Sequence, residues 1–200
     1  MLASVIFCKE RGVTLIELAI TLAVLSIVLA LGMPSYTKWI QGAQIRTAAE
    51  SLQSGLNLAR SEAVRRNTSV EFVLTNDLPS SGNVGTVVAD AAGVNWLVRQ
   101  FEPAAYTSTD FIQSKAAAEG ASRVLVAGDV ASIAFNGLGR PTAPLTVDLT
   151  NPTAGSCIAN GGDVHCLRVT VSVGGQVRMC DPSVAGADTR ACPANSTTGQ

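Results

Sequence analysis

Lys9-Glu10-Arg11-Gly12-Val13-Thr14-Leu15-Ile16-Glu17 runs directly into an apolar stretch, and from Val13 to Met33 the chain reads VTLIELAITLAVLSIVLALGM. Those 21 residues make about 31 Å of helix at ~1.5 Å per residue, enough to span a bilayer core. Glu17 is the one charge in the run. A carboxylate just inside a span costs roughly 3 kcal/mol on insertion scales, so it calls for a partner. The cheapest partner is a cation at the same depth, and a free amino terminus at Val13 would be one. That pair would lower the desolvation cost and fix the axial register of packed helices. The plain alternative is a glutamate that is protonated or sits among headgroups.

A secretory signal peptide has its apolar core before the cleavage site and is removed with it. Here the polar residues and Gly12 come first, so a cut after Gly12 leaves the apolar segment on the mature chain. The arrangement resembles the leader of type IV pilins and type II secretion pseudopilins. That resemblance implies a prepilin peptidase that cuts between Gly12 and Val13 and methylates the Val13 amine. It also implies that Glu17 guides assembly between subunits. Val13 departs from the phenylalanine or methionine usual in that family at this position.

Lys9 and Arg11 precede the span, so the positive-inside rule keeps the N-terminus cytoplasmic and sends Pro34 to Gln200 outside. The expectation is a single-pass inner-membrane protein with a periplasmic head. Cys8 falls in the leader, leaving Cys157, Cys166, Cys180 and Cys192 in an oxidising compartment. Three pairings are open. The local one, Cys157–Cys166 with Cys180–Cys192, is preferred because a hairpin around Gly174-Gly175 would put Cys166 and Cys180 on opposite faces. Metal ligation is the rival use of these thiols, but there is no CxxC and only one histidine.

Four segments follow: a leader at 1–12, a transmembrane helix at 13–33, its amphipathic continuation at 34–67, and a β-rich head at 68–200. Gly32 and Pro34 weaken the helix through entropy and a missing amide donor, so a kink is expected there. Helical spacing resumes with Tyr36, Trp39, Ile40 and Ala43. Leu52, Leu56, Ala59 and Ala63 then mark a face for packing, with the helix ending near Asn67. Beyond Thr68, short β-type runs separated by Gly, Pro, Asn and Asp predict an antiparallel domain. The candidate strands are Val70–Leu74, Trp96–Phe101, Arg123–Ala127, Ser132–Phe135, Leu145–Leu149, Leu167–Val173 and Gln176–Cys180. Val173-Gly174-Gly175-Gln176 reads as a two-residue hairpin turn. Pro79–Asn95 and Pro103–Gly120 read as surface loops, with a short helical turn at Gln113–Glu119. The fold class is α+β, a long N-terminal helix packed on an antiparallel sheet head.

Leu58-Ala59-Arg60-Ser61-Glu62-Ala63-Val64-Arg65-Arg66-Asn67 is similar to the helix end of the GspH/FimT group of minor pilins and pseudopilins. Cys166-Leu167-Arg168-Val169-Thr170-Val171-Ser172 and Gly175-Gln176-Val177-Arg178-Met179-Cys180-Asp181-Pro182 are similar to its terminal hairpin. The resemblance implies a minor pilin that assembles with other major and minor pilins in a type IV pilus. A type II secretion pseudopilin is the near alternative. The terminal Cys180-Asp181-Pro182 and Asp188-Thr189-Arg190-Ala191-Cys192 segments look more like the pilus branch.

DNA capture is known among FimT-like members through a Gly-Arg-X-Arg motif, but Gly175-Gln176-Val177-Arg178 stands here, so one phosphate-neutralising charge is missing. Arg168, Arg178 and Arg190 are the residues left for a weak DNA contact. Removing the leader leaves 12 basic against 14 acidic residues, a balance that does not argue for wholesale nucleic-acid binding. No cofactor is implied and no catalytic group is proposed. His165 beside Cys166 would need a reduced thiol, and neighbouring strand side chains point to opposite faces. The Gly82–Gly93 stretch lacks the lysine of a phosphate-binding loop.

Overall fold

The computed structural model describes residues 12–101 and 106–193, without the side chains of residues 31–35 and 38. The leader residues Cys8, Lys9, Glu10 and Arg11 lie outside this range. The chain divides into two compact units, Met1–Thr37 and Lys38–Gln200. One helix, α1, runs Leu15–Arg66. Gly32 and Pro34 lie within this helix.

In the first unit, the Thr14 hydroxyl accepts a hydrogen bond from the Glu17 backbone N–H at 3.3 Å, and Leu18 N–H donates to the Thr14 carbonyl. Thr14 therefore caps the helix, and Glu17 stands at the third helical position, where its carboxylate meets the positive end of the helix dipole. Side chains from Val13 to Ala30 are exposed in the isolated chain. Apolar side chains exposed all round a helix suit a non-aqueous or helix-lined setting.

In the second unit, the helix ends where the sequence predicts. Asn67 takes the left-handed conformation (φ 51°), Thr68 N–H reaches the Ala63 carbonyl, and Asn67 N–H reaches that of Val64. This is a C-terminal cap built on asparagine. Eight strands follow: β1 Val70–Thr75, β2 Asn95–Gln100, β3 Phe111–Lys115, β4 Leu125–Gly128, β5 Ser132–Phe135, β6 Leu145–Thr150, β7 Leu167–Val171 and β8 Val177–Cys180. They form two four-stranded antiparallel sheets, ordered β3-β2-β1-β5 and β4-β6-β7-β8.

The core lies between the helix and the inner faces of both sheets. Ile45, Ala49, Leu52, Leu56, Ala59 and Ala63 repeat at three- and four-residue intervals and are buried against Phe72, Trp96, Phe135, Leu149 and Val169. Small residues on the helix face let the backbone come close. At Gly55 an added Cβ would stand 2.8 Å from the Phe72 ring. Trp96 stacks on Phe72 at 5.7 Å and donates its indole N–H to the Ser51 hydroxyl. A second cluster, Val73, Val84, Val87 and Leu97, lies under the 76–94 loop on the other face of the first sheet.

Two expectations are corrected. β3 occupies part of the segment read as the loop Pro103–Gly120, and it replaces the start of the helical turn placed at Gln113–Glu119. Phe-Ile-Gln-Ser-Lys alternates too weakly to declare itself. It is an edge strand that gains its order from pairing with β2 across a register shift at Val98/Arg99. The β7–β8 turn is longer than two residues. Ser172 pairs with Gln176 through Ser172 N–H to the Gln176 carbonyl, leaving Val173-Gly174-Gly175 as the loop, and Gly175 N–H bonds the Ser172 carbonyl. Gly175 has φ +80°, the left-handed position that a three-residue hairpin requires. The shifted register sets Arg168 opposite Cys180, so the opposite-faces argument for the cysteines does not follow from strand parity. Cys166 nevertheless packs in the main core, which Cys180 does not join.

Candidate functional site

The head's outer surface at β7 and β8 is closed by the C-terminal segment. Cys180 is bonded to Cys192, Asp181 bridges to Ala191, and Arg178 donates to the Thr189 carbonyl at 2.5 Å. On the core side, Cys157 is bonded to Cys166 nine residues away. The pairing is thus the local one, and no cysteine sulfur among these four is left as a thiolate nucleophile or metal ligand.

Asp181 anchors the closing segment. Its carboxylate accepts from the Ser183 hydroxyl and backbone N–H and lies 3.0 Å from His165 Nδ1. Burial pushes the Asp181 carboxyl up, but the Ser183 hydrogen bonds and the His165 contact outweigh it, so its pKa is lowered. Seven residues after Asp181, Asp188 is held down to about 2 by the Arg190 side chain and backbone. His165 is therefore a surface partner of Asp181 and not part of a nucleophilic pair.

The three arginines considered for DNA contact do not form an open patch. Arg168 is buried and clasped by Asp148, with Nε to Oδ1 at 2.7 Å and a terminal nitrogen to Oδ2 at 2.9 Å. Arg178 is committed to the Thr189 carbonyl, and Arg190 to Asp188 at 2.9 Å. The first two lie on one face of adjacent strands, as the register of Arg168 with Cys180 and Thr170 with Arg178 requires.

At the helix end, Glu62 binds Arg65 at 2.6 Å and Arg66 at 2.8 Å. Hydrogen bonds from Arg65 and then Arg66 lower the Glu62 pKa to about 2.

A buried network was not foreseen. Glu71 on β1 and Arg99 on β2 are register partners joined at 2.9 Å. Arg99 also donates to the Val84 carbonyl and lies 4.0 Å over the Tyr106 ring. The sign of it in the sequence was a carboxylate and a guanidinium in two apolar strands. The Thr14-x-x-Glu17 spacing of a helix cap was the other legible signal passed over.

A long helix with its C-terminal half roofed by antiparallel sheets, and an exposed apolar N-terminal half, is the architecture of a pilin-like subunit. Residues 48–175 match the family described as Type II transport protein GspH, and residues 8–33 match the prokaryotic N-terminal methylation motif. The chain belongs to the GspH family of minor pilins and pseudopilins. Its fold is similar to that of the type IV minor pilin FimU of Pseudomonas aeruginosa, at 14% identity and TM-score 0.50, over 72% of this chain and 94% of that one. The minor pseudopilin EpsH of the Vibrio cholerae Type 2 Secretion System aligns at 13% identity and TM-score 0.45, over 70% of this chain and 99% of that one. No curated protein matches the chain. Among the described residues no helix is long and apolar enough to cross a membrane. The described side chains of the apolar run stop at Ala30, and the sequence carries the run on to Met33.

Proposed function

We propose that this chain is a minor pilin that takes part in assembling or initiating a type IV pilus. The observation that carries the reading is a methylation motif at residues 8–33 followed in the same chain by a GspH head at 48–175. A peptidase cuts after Gly12 and methylates Val13. The apolar helix holds the subunit in the inner membrane until it is extracted into a helix bundle. There the Val13 amine of one subunit and Glu17 of its neighbour set the register, while apolar packing supplies most of the association. Thr14 caps the helix beside Glu17, which keeps the first turn formed as the pair docks. Gly32 and Pro34 provide a weak point in the helix for that passage.

The family description supports a second reading, a minor pseudopilin of a type II secretion system. The fold likeness to FimU and the disulfide-closed C-terminal segment favour the pilus. DNA capture is the weakest reading, because Arg168 and Arg190 are already neutralised by Asp148 and Asp188. Deleting the gene and counting surface pili alongside secreted protein tests the choice. Loss of pili with secretion intact supports the proposal. Loss of secretion with pili intact transfers the protein to the secretion machine.

A further inference from the structure

A groove of about 420 Å³ opens between α1 and the β7–β8 side of the head. Gly42 and Arg46 line it from the helix, Leu167 and Met179 form its half-buried apolar floor, and His165 and Arg190 stand on its rim. Its walls are fixed before anything enters. Gln41 donates to the Thr153 carbonyl at 3.2 Å and Gln44 accepts from Asn151 at 3.3 Å, which ties the same turns of α1 to the head. Cys180, bonded to Cys192, and Asp181, whose backbone N–H donates to the Arg190 carbonyl, hold the opposite side.

Two features of this groove have no use inside the chain. Glycine is a poor residue for a helix interior. Gly55 has an internal reason to be bare, because the Phe72 ring occupies the space beside it, but a Cβ on Gly42 would meet nothing within 4 Å. The helix thus keeps its wall of the groove clear against its own propensity, leaving room for atoms from outside the head. The second feature is charge. Asp181 is the one carboxylate lining the groove, and its oxygens are taken by Ser183 and His165. Arg190 is paired with Asp188. Arg46 makes no hydrogen bond or ion pair with any described residue, Glu50 one turn along α1 included.

An apolar floor beside an unpaired guanidinium is complementary to a carboxylate carried next to an apolar side chain. We infer that this groove receives an acidic, apolar-flanked segment of a different subunit, with its carboxylate on Arg46 and its apolar neighbour on Leu167 and Met179. The open side favours a protein segment over a small anion. Gly42, Arg46, His165 and Arg190 are all exposed, so a free carboxylate would stay hydrated there, whereas a segment lying along α1 fills the groove and excludes water. The inference rests on the subunit reading above, in which α1 packs beside other subunits. A minor subunit is surrounded by other kinds of subunit, so the segment belongs to a non-identical chain.

The test places a photo-cross-linking side chain at Thr189, an exposed residue of the groove, in the full-length chain expressed in its own cells. The inference expects a light-dependent adduct with another pilin or pseudopilin subunit, linked through a peptide in which an aspartate or glutamate neighbours an apolar residue. Arg46→Glu should lower that adduct about tenfold, and changing the partner's linked acidic residue to arginine should restore it. Gly42→Trp, which fills the groove, should lower it as well, while Gly42→Ala should leave the melting temperature unchanged or higher. Chain level and both disulfides on a non-reducing gel show that the variants fold. No adduct, an adduct with a second copy of this chain or with lipid, or an adduct that Arg46→Glu leaves intact overturns the inference. The chain present in sheared filaments without the adduct rejects the groove alone. An adduct with a type II secretion subunit keeps the groove and moves the subunit reading to the secretion machine.

Discussion

Asp148 on β6 and Arg168 on β7 are register partners that close two hydrogen bonds, at 2.7 and 2.9 Å, on the face of the sheet turned away from the helix. The guanidinium is nearly sealed, at 7% side-chain exposure, while the carboxylate keeps 38%. The pair is thus a clamp between strands before it is a charge available to a ligand.

Removing the carboxylate should therefore be costly. Asp148→Ala leaves a buried cation without its bidentate acceptor, and we expect a loss of about 1–3 kcal/mol in chemical denaturation. Replacing Arg168 with Ala should change any salt-dependent DNA retention by the head very little, as electrophoretic shift at two salt concentrations would show.

The closing segment depends on Cys180–Cys192, which spans 12 positions of sequence. Cys180→Ser with Cys192→Ser should lower stability by about 3 kcal/mol on the chain-entropy account. It should also speed proteolysis after Arg178 and Arg190, whose contacts hold that segment down. Limited proteolysis read by mass spectrometry checks both sites, and unchanged cleavage would mean that the segment is held without the bridge.

Glu62 gives a pH signature. Its folded pKa of about 2 lies below the ordinary 4.5, so its contribution is complete above about 4.5 and is lost as pH falls through about 2. Glu62→Gln should flatten the acid limb of stability between those values and leave the neutral region's slope unchanged. Arg65 is largely exposed, so the effect will be modest. Thermal melts from pH 2 to 6 measure it.

Gly55 offers a packing test. An added methyl meets the Phe72 ring at 2.8 Å and Trp96 at 3.2 Å. Gly55→Ala gains roughly 1 kcal/mol of helix propensity yet should be neutral to destabilising. Gly55→Val, which overpacks the same space, should cost about 2–3 kcal/mol. A stabilised valine variant would mean that the helix can lift from the sheet.

The helix and most strands were legible because their patterns are self-contained. Leu52, Leu56, Ala59 and Ala63 declare a buried face, and Ser132–Phe135 is bounded by turn residues on both sides. β3 was hidden because Phe111–Lys115 is half polar and is ordered by pairing with β2, a non-local cause. The hairpin was legible from Gly174-Gly175, but its loop length was not, since only the Ser172–Gln176 pairing decides which residues turn. At the candidate site, the cysteines pair locally as preferred, but the hairpin argument offered for that choice does not hold in the observed register. The fate of Arg168 could not be read, because Asp148 lies 20 residues away and the two meet only through strand register. Glu17 was conspicuous as a charge, whereas its neighbour Thr14 looked ordinary until the helix start was placed.

Glu17 also yields the assembly prediction. Glu17→Ala should insert and be cleaved normally, yet its share in sheared filaments should fall about tenfold or more, as loss of a buried charge partner implies. Quantitative immunoblotting of filament and membrane fractions would show this, and unchanged incorporation would remove the register role.

The central claim is most directly tested at the N-terminus, by mass spectrometry of the chain from sheared surface filaments of cells with and without the prepilin peptidase. The account predicts a peptide beginning at methylated Val13, present in filaments only when the peptidase is active. A chain that keeps Gly12 and everything before it in both strains, and never enters filaments, would contradict it.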